Sequence, residues 1–214
     1  MTKEAARPVR AVMLAKGSSR RLPRKNMQDF LGEPLFVHNV RKLVELGVGP
    51  IVDSDDDEIL AIAEAAGAVP NLRDEALRGP DVPTLPIVRA AFEHLGIGAP
   101  TCALIVQANS PNVRVETLRH AIDVISFTGI DELMSAAPDR SHNGSVWAVS
   151  HARLIDYGDP YVHRPDVLLV DDSIDIHHLA DLDQARVLAT AAERDTFFDC
   201  RAPDPSISQA WETT

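Results

Sequence analysis

The chain has 214 residues, the span of one α/β domain, and can bury a core without disulfide or metal staples. Hydrophobic residues make up 45% and charged residues 25%, which excludes a disordered chain; 21 basic against 32 acidic residues leave a net charge of -11, which argues against a general nucleic-acid binder. No run approaches the ~18 apolar residues that span a bilayer, and the polar N-terminus lacks a signal-peptide core, so a cytoplasmic setting without a membrane partner is expected.

Apolar, strand-like runs alternate with helical patterns from the start. Val9 to Ala15 reads as a buried strand, and Pro34 to Leu46 as a helix with Phe36, Val40, Leu43 and Val44 on one stripe. Ile51 to Ser54 is a short strand. Asp56 to Ala66 is a helix, acidic in its first turn and closed by Gly67. Thr84 to Leu95 is a third helix, Cys102 to Val106 the clearest buried strand, and Glu116 to Ile125 a fourth helix. Leu133 to Ala137, Ser145 to Ser150 and Asp166 to Val170 read as later strands, followed by the short segment Ile174-Asp175-Ile176. A last helix runs from Ala180 to about Arg194. This order predicts an α/β fold: a single doubly wound, mostly parallel sheet with helices on both faces. Residues 1–194 form the domain, and residues 195–214 read as a loosely attached polar tail. Cys102 reads as a core thiol, since Cys102 and Cys200 fit no metal or redox spacing.

In such a sheet, ligands bind at the carboxyl ends of the strands. Four of those ends carry polar clusters. The first, Lys16-Gly17-Ser18-Ser19-Arg20-Arg21-Leu22-Pro23-Arg24-Lys25-Asn26, sets five cations within ten residues of an acidic protein. Glycine and serine allow a tight turn whose N–H groups face a polyphosphate, while the Lys and Arg side chains supply charge; a solvated basic loop is the bland alternative. Neither the ATPase phosphate loop nor the dinucleotide glycine pattern is present. The second cluster is Ser54-Asp55-Asp56-Asp57-Glu58, whose last three acids suit helix capping. The third, Gln107-Ala108-Asn109-Ser110-Pro111, offers amides to read a pyrimidine or sugar edge. In the fourth, around Asp175-Ile176-His177-His178, an acid between two isoleucines points away from the apolar side and is a candidate Mg²⁺ ligand. Neighbouring strand positions face opposite ways, so His177 and His178 are not expected to share one ion, and a structural or solvent-facing role is expected for His178.

Taken together and in order, these segments resemble the CMP-sialic acid synthetases (acylneuraminate cytidylyltransferases). The match runs through residues 16–26, Gly32-Glu33-Pro34-Leu35, Ser54-Asp55, Leu72-Arg73, residues 107–111, Asn143-Gly144, and Asp172 to Ile176 with Asp181-Leu182. The resemblance implies a Rossmann-like nucleotidyltransferase fold and transfer of CMP from CTP to an acidic sugar of the sialic, pseudaminic or legionaminic type, or a related 2-keto acid. It implies that Lys16, Ser19 and Lys25 hold the CTP phosphates, together with Gly17, Ser18 and Arg20 of the same turn. Asn26 then contacts nucleotide or phosphate, Arg73 the cytosine side, and Gln107, Asn109 and Ser110 the sugar acid. Asp175 holds Mg²⁺, with Mn²⁺ as the alternative, and Lys16, Lys25 and Asp175 are the catalytic set. The chain departs from the family pattern in four places, the first being Ala108 and Asn109 where the family carries proline and threonine, so a different acid is expected in the sugar pocket. Lys16 replaces an arginine, keeping charge without the bidentate fork. His177 replaces the second metal aspartate, and imidazole suits Mg²⁺ poorly. The segment from Pro138 to Asn143, where the family carries a longer segment for its usual homodimer, is only a few residues long. The competing expectations are a nucleotidyltransferase with a different nucleotide or acceptor, such as a phosphonate or sugar phosphate, and a catalytically impaired nucleotide binder.

Overall fold

A computed structural model describes residues 6–79, 81–157, 163–190 and 197–199. Ten strands occur among them: β1 (Val9–Leu14), β2 (Asp29–Phe30), β3 (Glu33–Pro34), β4 (Ile51–Ser54), β5 (Val69–Leu72), β6 (Cys102–Val106), β7 (Glu132–Ala136), β8 (His142–Val149), β9 (Val167–Val170) and β10 (Phe197–Asp199). The helices are α1 (Leu35–Glu45), α2 (Asp57–Ala65), α3 (Thr84–His94), α4 (Val115–Phe127), α5 (His151–Ile155) and α6 (Leu179–Ala189). No helix among the described residues is long and apolar enough to cross a membrane.

Eight strands form one sheet in the order β10-β9-β7-β8-β6-β1-β4-β5, and β2 pairs with β3 in a separate hairpin. β1, β4, β5, β6, β7 and β9 run the same way, while β8 and β10 run against them, so the sheet is mostly parallel as expected. The order reverses around β1, whose neighbours β4 and β6 lead away on opposite sides. That switch point leaves a crevice at the carboxyl ends of the strands.

Helices cover both faces because the strands are apolar on both. Phe36, Val40 and Leu43 of α1, Ile59 and Ala63 of α2 and Leu118, Ala121 and Ile125 of α4 pack on Ala11, Met13, Val52 and Leu104. Leu85, Val88 and Phe92 of α3 and Leu154 of α5 pack on Val12, Ile51, Ala103 and Ile105 across the sheet. A third cluster joins Leu22, Phe30 and Leu35 to Ile176 and to Leu182 and Ala185 of α6. This small core fastens the loop after β1 to the segment that bears Asp175.

Several local expectations change. Val44 is 42% exposed rather than on the buried stripe, because α1 turns Leu35, Val37 and Asn39 inward as well and Val44 covers the turn at Gly67. Ser150 does not end a strand; its hydroxyl accepts from Arg153 N at 3.1 Å and caps α5. Ile174-Asp175-Ile176 joins no sheet, although it keeps a strand's alternation with Ile176 buried. β5, unexpected because Pro70 interrupts its pattern, is an edge strand, where a missing N–H is tolerated. α6 ends at Ala189, and its expected end at Arg194 lies outside the described residues, as does Cys200. β10 pairs antiparallel with β9, so the sheet draws on residues beyond the expected boundary at 194. Cys102 is a buried free thiol, as expected.

Leu104, fully buried at the centre of β6, tests the packing account. Leu104→Ala should lower the unfolding free energy by about 2–5 kcal/mol, read from urea unfolding with an unchanged slope, because little of the vacated volume can collapse.

Candidate functional site

The loop after β1 is tied down at both ends. Ala15 N donates to the Asp53 carbonyl at 2.9 Å, and the buried Asn26 amide donates to the Lys16 carbonyl at 2.9 Å, closing the turn on itself. Gly17 N donates to Asp55 Oδ1 at 2.9 Å. A Cβ on Gly17 would lie 2.4 Å from Asp56 Oδ2 and 2.6 Å from Asp56 Cβ, so only glycine lets the turn pass the N-terminus of α2. Asp56 cannot simply swing away, since its carboxylate accepts from Glu58 N and Ile59 N as the helix cap. With Gly17 engaged by Asp55, its N–H is not among the groups turned towards the crevice; this corrects the expectation for that position.

Two adjoining cavities open beside the loop. The larger, of ≈ 680 Å³, is lined by Lys16, Ser18, Ser19, Arg20, Arg21 and Lys25, with Arg78, Asp81 and His177 opposite. The smaller, of ≈ 280 Å³, shares Lys16, Ser18, Ser19 and Lys25 and continues to Asn26, Arg73, Thr84, Gln107 and Asn109 over an apolar floor of Leu14, Val82 and Ile87. Lys16 Nζ donates to the Gly79 carbonyl at 2.8 Å, bridging the loop to the segment before α3. Burial, then the nearby Arg73 guanidinium, hold the Lys16 ammonium below the ordinary lysine range. Burial lowers Lys25 as well, against the pull of Asp175.

Arg73 is held by a buried network. Its Nε donates to Asp53 Oδ1 at 2.5 Å and its Nη2 to the Asp53 carbonyl at 3.2 Å. Asn71 Nδ2 donates to Asp53 Oδ2 at 2.7 Å, and His94 Nδ1 lies 2.7 Å from Asn71 Oδ1. The side chains of Arg73 and Asp53 are 0% and 2% exposed, and burial pushes the Asp53 carboxyl up despite the two arginine contacts. Arg73 Nη1 is buried without a hydrogen-bond partner while its side chain lines the smaller cavity. An unpaired buried guanidinium N–H is costly, so this donor is provided for an acceptor that enters the cavity.

On the far wall, Ile176 N donates to the Asn109 carbonyl at 2.9 Å and Asn109 Nδ2 donates to the Ile176 carbonyl at 3.0 Å. Asn109 Nδ2 also donates to Asp175 Oδ1, and His177 Nε2 lies 3.0 Å from Asp175 Oδ2. Desolvation pushes the Asp175 carboxyl up, opposed by His177, Lys25 and Arg21, and pushes the His177 imidazole down. Asp181 Oδ2 accepts from the backbone N–H groups of His177 and His178 and so fixes the start of α6. His178 is exposed, as expected. The loop before this wall is clamped by α1: Asn39 Nδ2 donates to the carbonyls of Gln107 and Ser110, and Lys42 Nζ to those of Pro111 and Val113.

The fold therefore gathers Lys16, Ser18, Ser19, Arg20, Lys25, Asn26, Arg73, Gln107, Asn109 and His177 around one crevice, with Asp175 bonded to Asn109 and His177 of its lining. Ser110, like Gly17, is an exception: fully buried, it lines neither cavity and instead offers its carbonyl to Asn39. Sequence reading missed Asp53, although a charge inside an apolar strand was a usable signal. It also missed Arg78, Asp81 and Thr84 as lining residues; the first two lie on a segment with no strand or helix period to place it, and Thr84 opens a helix read only for its apolar face. A divalent ion has two protein donors close together here, the Asp175 carboxylate and the His177 imidazole. Among the described residues no cluster of three or more such side chains occurs, so further ligands would come from a bound anion. One carboxylate and one imidazole fit a borderline ion better than Mg²⁺.

A family model described as Cytidylyltransferase matches residues 11–136. The pseudaminic acid cytidylyltransferase of Campylobacter jejuni is 36% identical over 87 residues, covering 39% of this chain and 38% of that protein. The CMP-N,N'-diacetyllegionaminic acid synthase of Legionella pneumophila is 30% identical over 134 residues, covering 60% and 57%. The chain thus matches between two fifths and three fifths of these relatives' lengths. Among solved structures, a CMP:2-keto-3-deoxy-manno-octonic acid synthetase complexed with CTP superposes with a TM-score of 0.67 at 13% identity, covering 84% of this chain and 97% of that one. At that identity the likeness shows the fold.

Removing Arg73 would strand the Asp53 carboxylate in the core. Arg73→Ala should cost about 3–5 kcal/mol in denaturant unfolding, whereas the double variant Arg73→Met, Asp53→Leu should recover most of it, since the loss arises from an unpaired buried charge.

Proposed function

The chain belongs to the cytidylyltransferase family, and from that premise we propose that it transfers CMP from CTP to an acidic sugar, releasing pyrophosphate. The observation that carries this is the larger cavity: five cationic side chains, from the loop after β1 and from Arg78, line one crevice of a protein whose net charge is -11. Such local reversal of charge serves a small polyanion. Lys16, Lys25, Ser18 and Ser19 hold the triphosphate along the wall common to both cavities, Arg20 adds charge from the larger one, and Asn26 keeps the loop closed by its bond to the Lys16 carbonyl. The base enters the smaller cavity over Leu14, Val82 and Ile87, where the free Arg73 Nη1 donates to a pyrimidine acceptor. Gln107 and Asn109 face the sugar.

The acceptor's anomeric hydroxyl oxygen attacks the α-phosphorus and gives up its proton to solvent, while the bond from that phosphorus to the bridging oxygen breaks and its electron pair leaves with pyrophosphate. The protein's share is alignment and stabilisation of charge on the phosphates by Lys16, Lys25 and the arginines. Asp175 and His177 are the residues to hold a divalent ion, Mg²⁺ or Mn²⁺, which when bound would neutralise phosphate charge.

The direct test is pyrophosphate release from CTP with pseudaminic, legionaminic, N-acetylneuraminic and 3-deoxy-manno-octulosonic acids. Release with one or more acids and none with neutral sugars is expected; no CTP binding would end the reading. Both oxygens of Asp175 are already engaged by Asn109 and His177, which favours one second reading, a nucleotide binder without turnover. CTP binding with no release across metals and acids would select it.

The His177 imidazole should make Mn²⁺ the better ion. His177→Asp should shift the preference towards Mg²⁺, read both in turnover and as Mn²⁺ affinity by electron paramagnetic resonance; an unchanged metal response would place His177 away from the ion. A lowered Lys16 loses its charge at a pH where ordinary lysines keep theirs. Calorimetric CTP affinity should therefore weaken as pH rises through the range below the ordinary lysine value, and Lys16→Arg should flatten that decline. A wild-type affinity independent of pH across that range would remove Lys16 from the phosphates.

A further inference from the structure

One cation of the larger cavity, Arg78, lies outside the loop after β1. Lys16, Ser18, Ser19 and Lys25 line both cavities, so the polyphosphate lies along the wall they share. Arg78 lines only the larger cavity and comes from a different element, the segment between β5 and α3. Its Nε donates to the Arg73 carbonyl at 3.1 Å, which anchors the guanidinium to the residue that walls the base cavity. The next residue is anchored too, since the Gly79 carbonyl accepts from Lys16 Nζ. Asp81, the one carboxylate lining this cavity, makes no ion pair with Arg78 among the described residues. Both Nη groups of Arg78 are thus left as a fork on a tethered stem, a geometry that suits a carboxylate bound side-on.

Resting on the reading in the preceding subsection, we infer that Arg78 recognises the carboxylate of the acceptor and makes the larger cavity selective for acidic over neutral sugars. The nucleotide occupies the shared wall, and the acceptor bridges the two cavities, with its ring towards Gln107 and Asn109 of the smaller, its acid group on Arg78 of the larger and its anomeric hydroxyl towards the α-phosphorus. The residue sets specificity and takes no part in bond making or breaking.

The test uses the full chain and whichever of the four acids named above the wild type turns over fastest. Arg78→Ala should raise the KM for that acid tenfold or more while calorimetric CTP affinity stays within twofold of wild type. Arg78→Lys should recover part of the loss. The methyl ester of the same acid should be a poor acceptor for the wild type and indifferent to Arg78→Ala, since the group that Arg78 reads has been removed. An unchanged KM for the acid, or an equal loss of CTP affinity, overturns the assignment, the latter by placing Arg78 on the polyphosphate. If the wild type itself binds no CTP or turns over no acid, it is the reading of function that fails, and this assignment falls with it.

Discussion

The charge buried at Asp53 governs how the crevice is assembled. Its main-chain carbonyl receives Ala15 N from the end of β1 and Nη2 of Arg73, while its carboxylate receives Arg73 Nε and the amide of Asn71 from β5. One residue of β4 thereby sets the height of the cationic loop, the edge strand and the guanidinium at the mouth of the base cavity. The arrangement is expensive, because both charges have left water, and such a pair contributes less to net stability than to geometry. What it secures is a guanidinium that cannot rotate away, with one N–H group left over for a ligand.

The electrostatics of the crevice follow from the same economy of position. An acidic protein surrounds a short cationic loop, and among the described residues several carboxylates near it are engaged by other groups: Asp55 by Gly17 N, Asp56 by the start of α2, and Asp175 by Asn109 and His177, while Asp81 lines the larger cavity. Lysines held partly out of water carry a charge that is easily given to a phosphate oxygen, since the ammonium has already lost much of its hydration. The small core of Leu22, Phe30, Leu35, Ile176, Leu182 and Ala185 completes the design by fixing the loop to the opposite wall. The distance across the crevice therefore depends on apolar packing and not on any contact between the charged groups themselves.

Much of this was legible in the chain. Apolar continuity in Cys102–Val106 announced a strand buried on both faces, and the 3.6-residue recurrence in α1, α3 and α4 placed those helices to within a residue or two. The acidic start of α2 read correctly as a cap at Asp56. Patterns failed where a different rule governed. Pro70 hid an edge strand, the alternation of Ile174-Asp175-Ile176 looked like a strand but met no partner, and Ser110, polar in a promising cluster, was spent on its backbone carbonyl's bond to Asn39.

By itself, the sequence determined the α/β class, the alternation of strand and helix, and which strand ends carry chemistry, because each of these depends on local periodicity and on residue type within a few positions. Only the tertiary structure decided that Arg73 is locked by Asp53, that Arg78, Lys25 and His177 line one cavity, and that Asp175 is bonded to Asn109. Those facts depend on pairs of residues tens to more than a hundred positions apart. Their juxtaposition is set by strand order and by the burial of shared apolar surface, neither of which leaves a periodic trace along the chain.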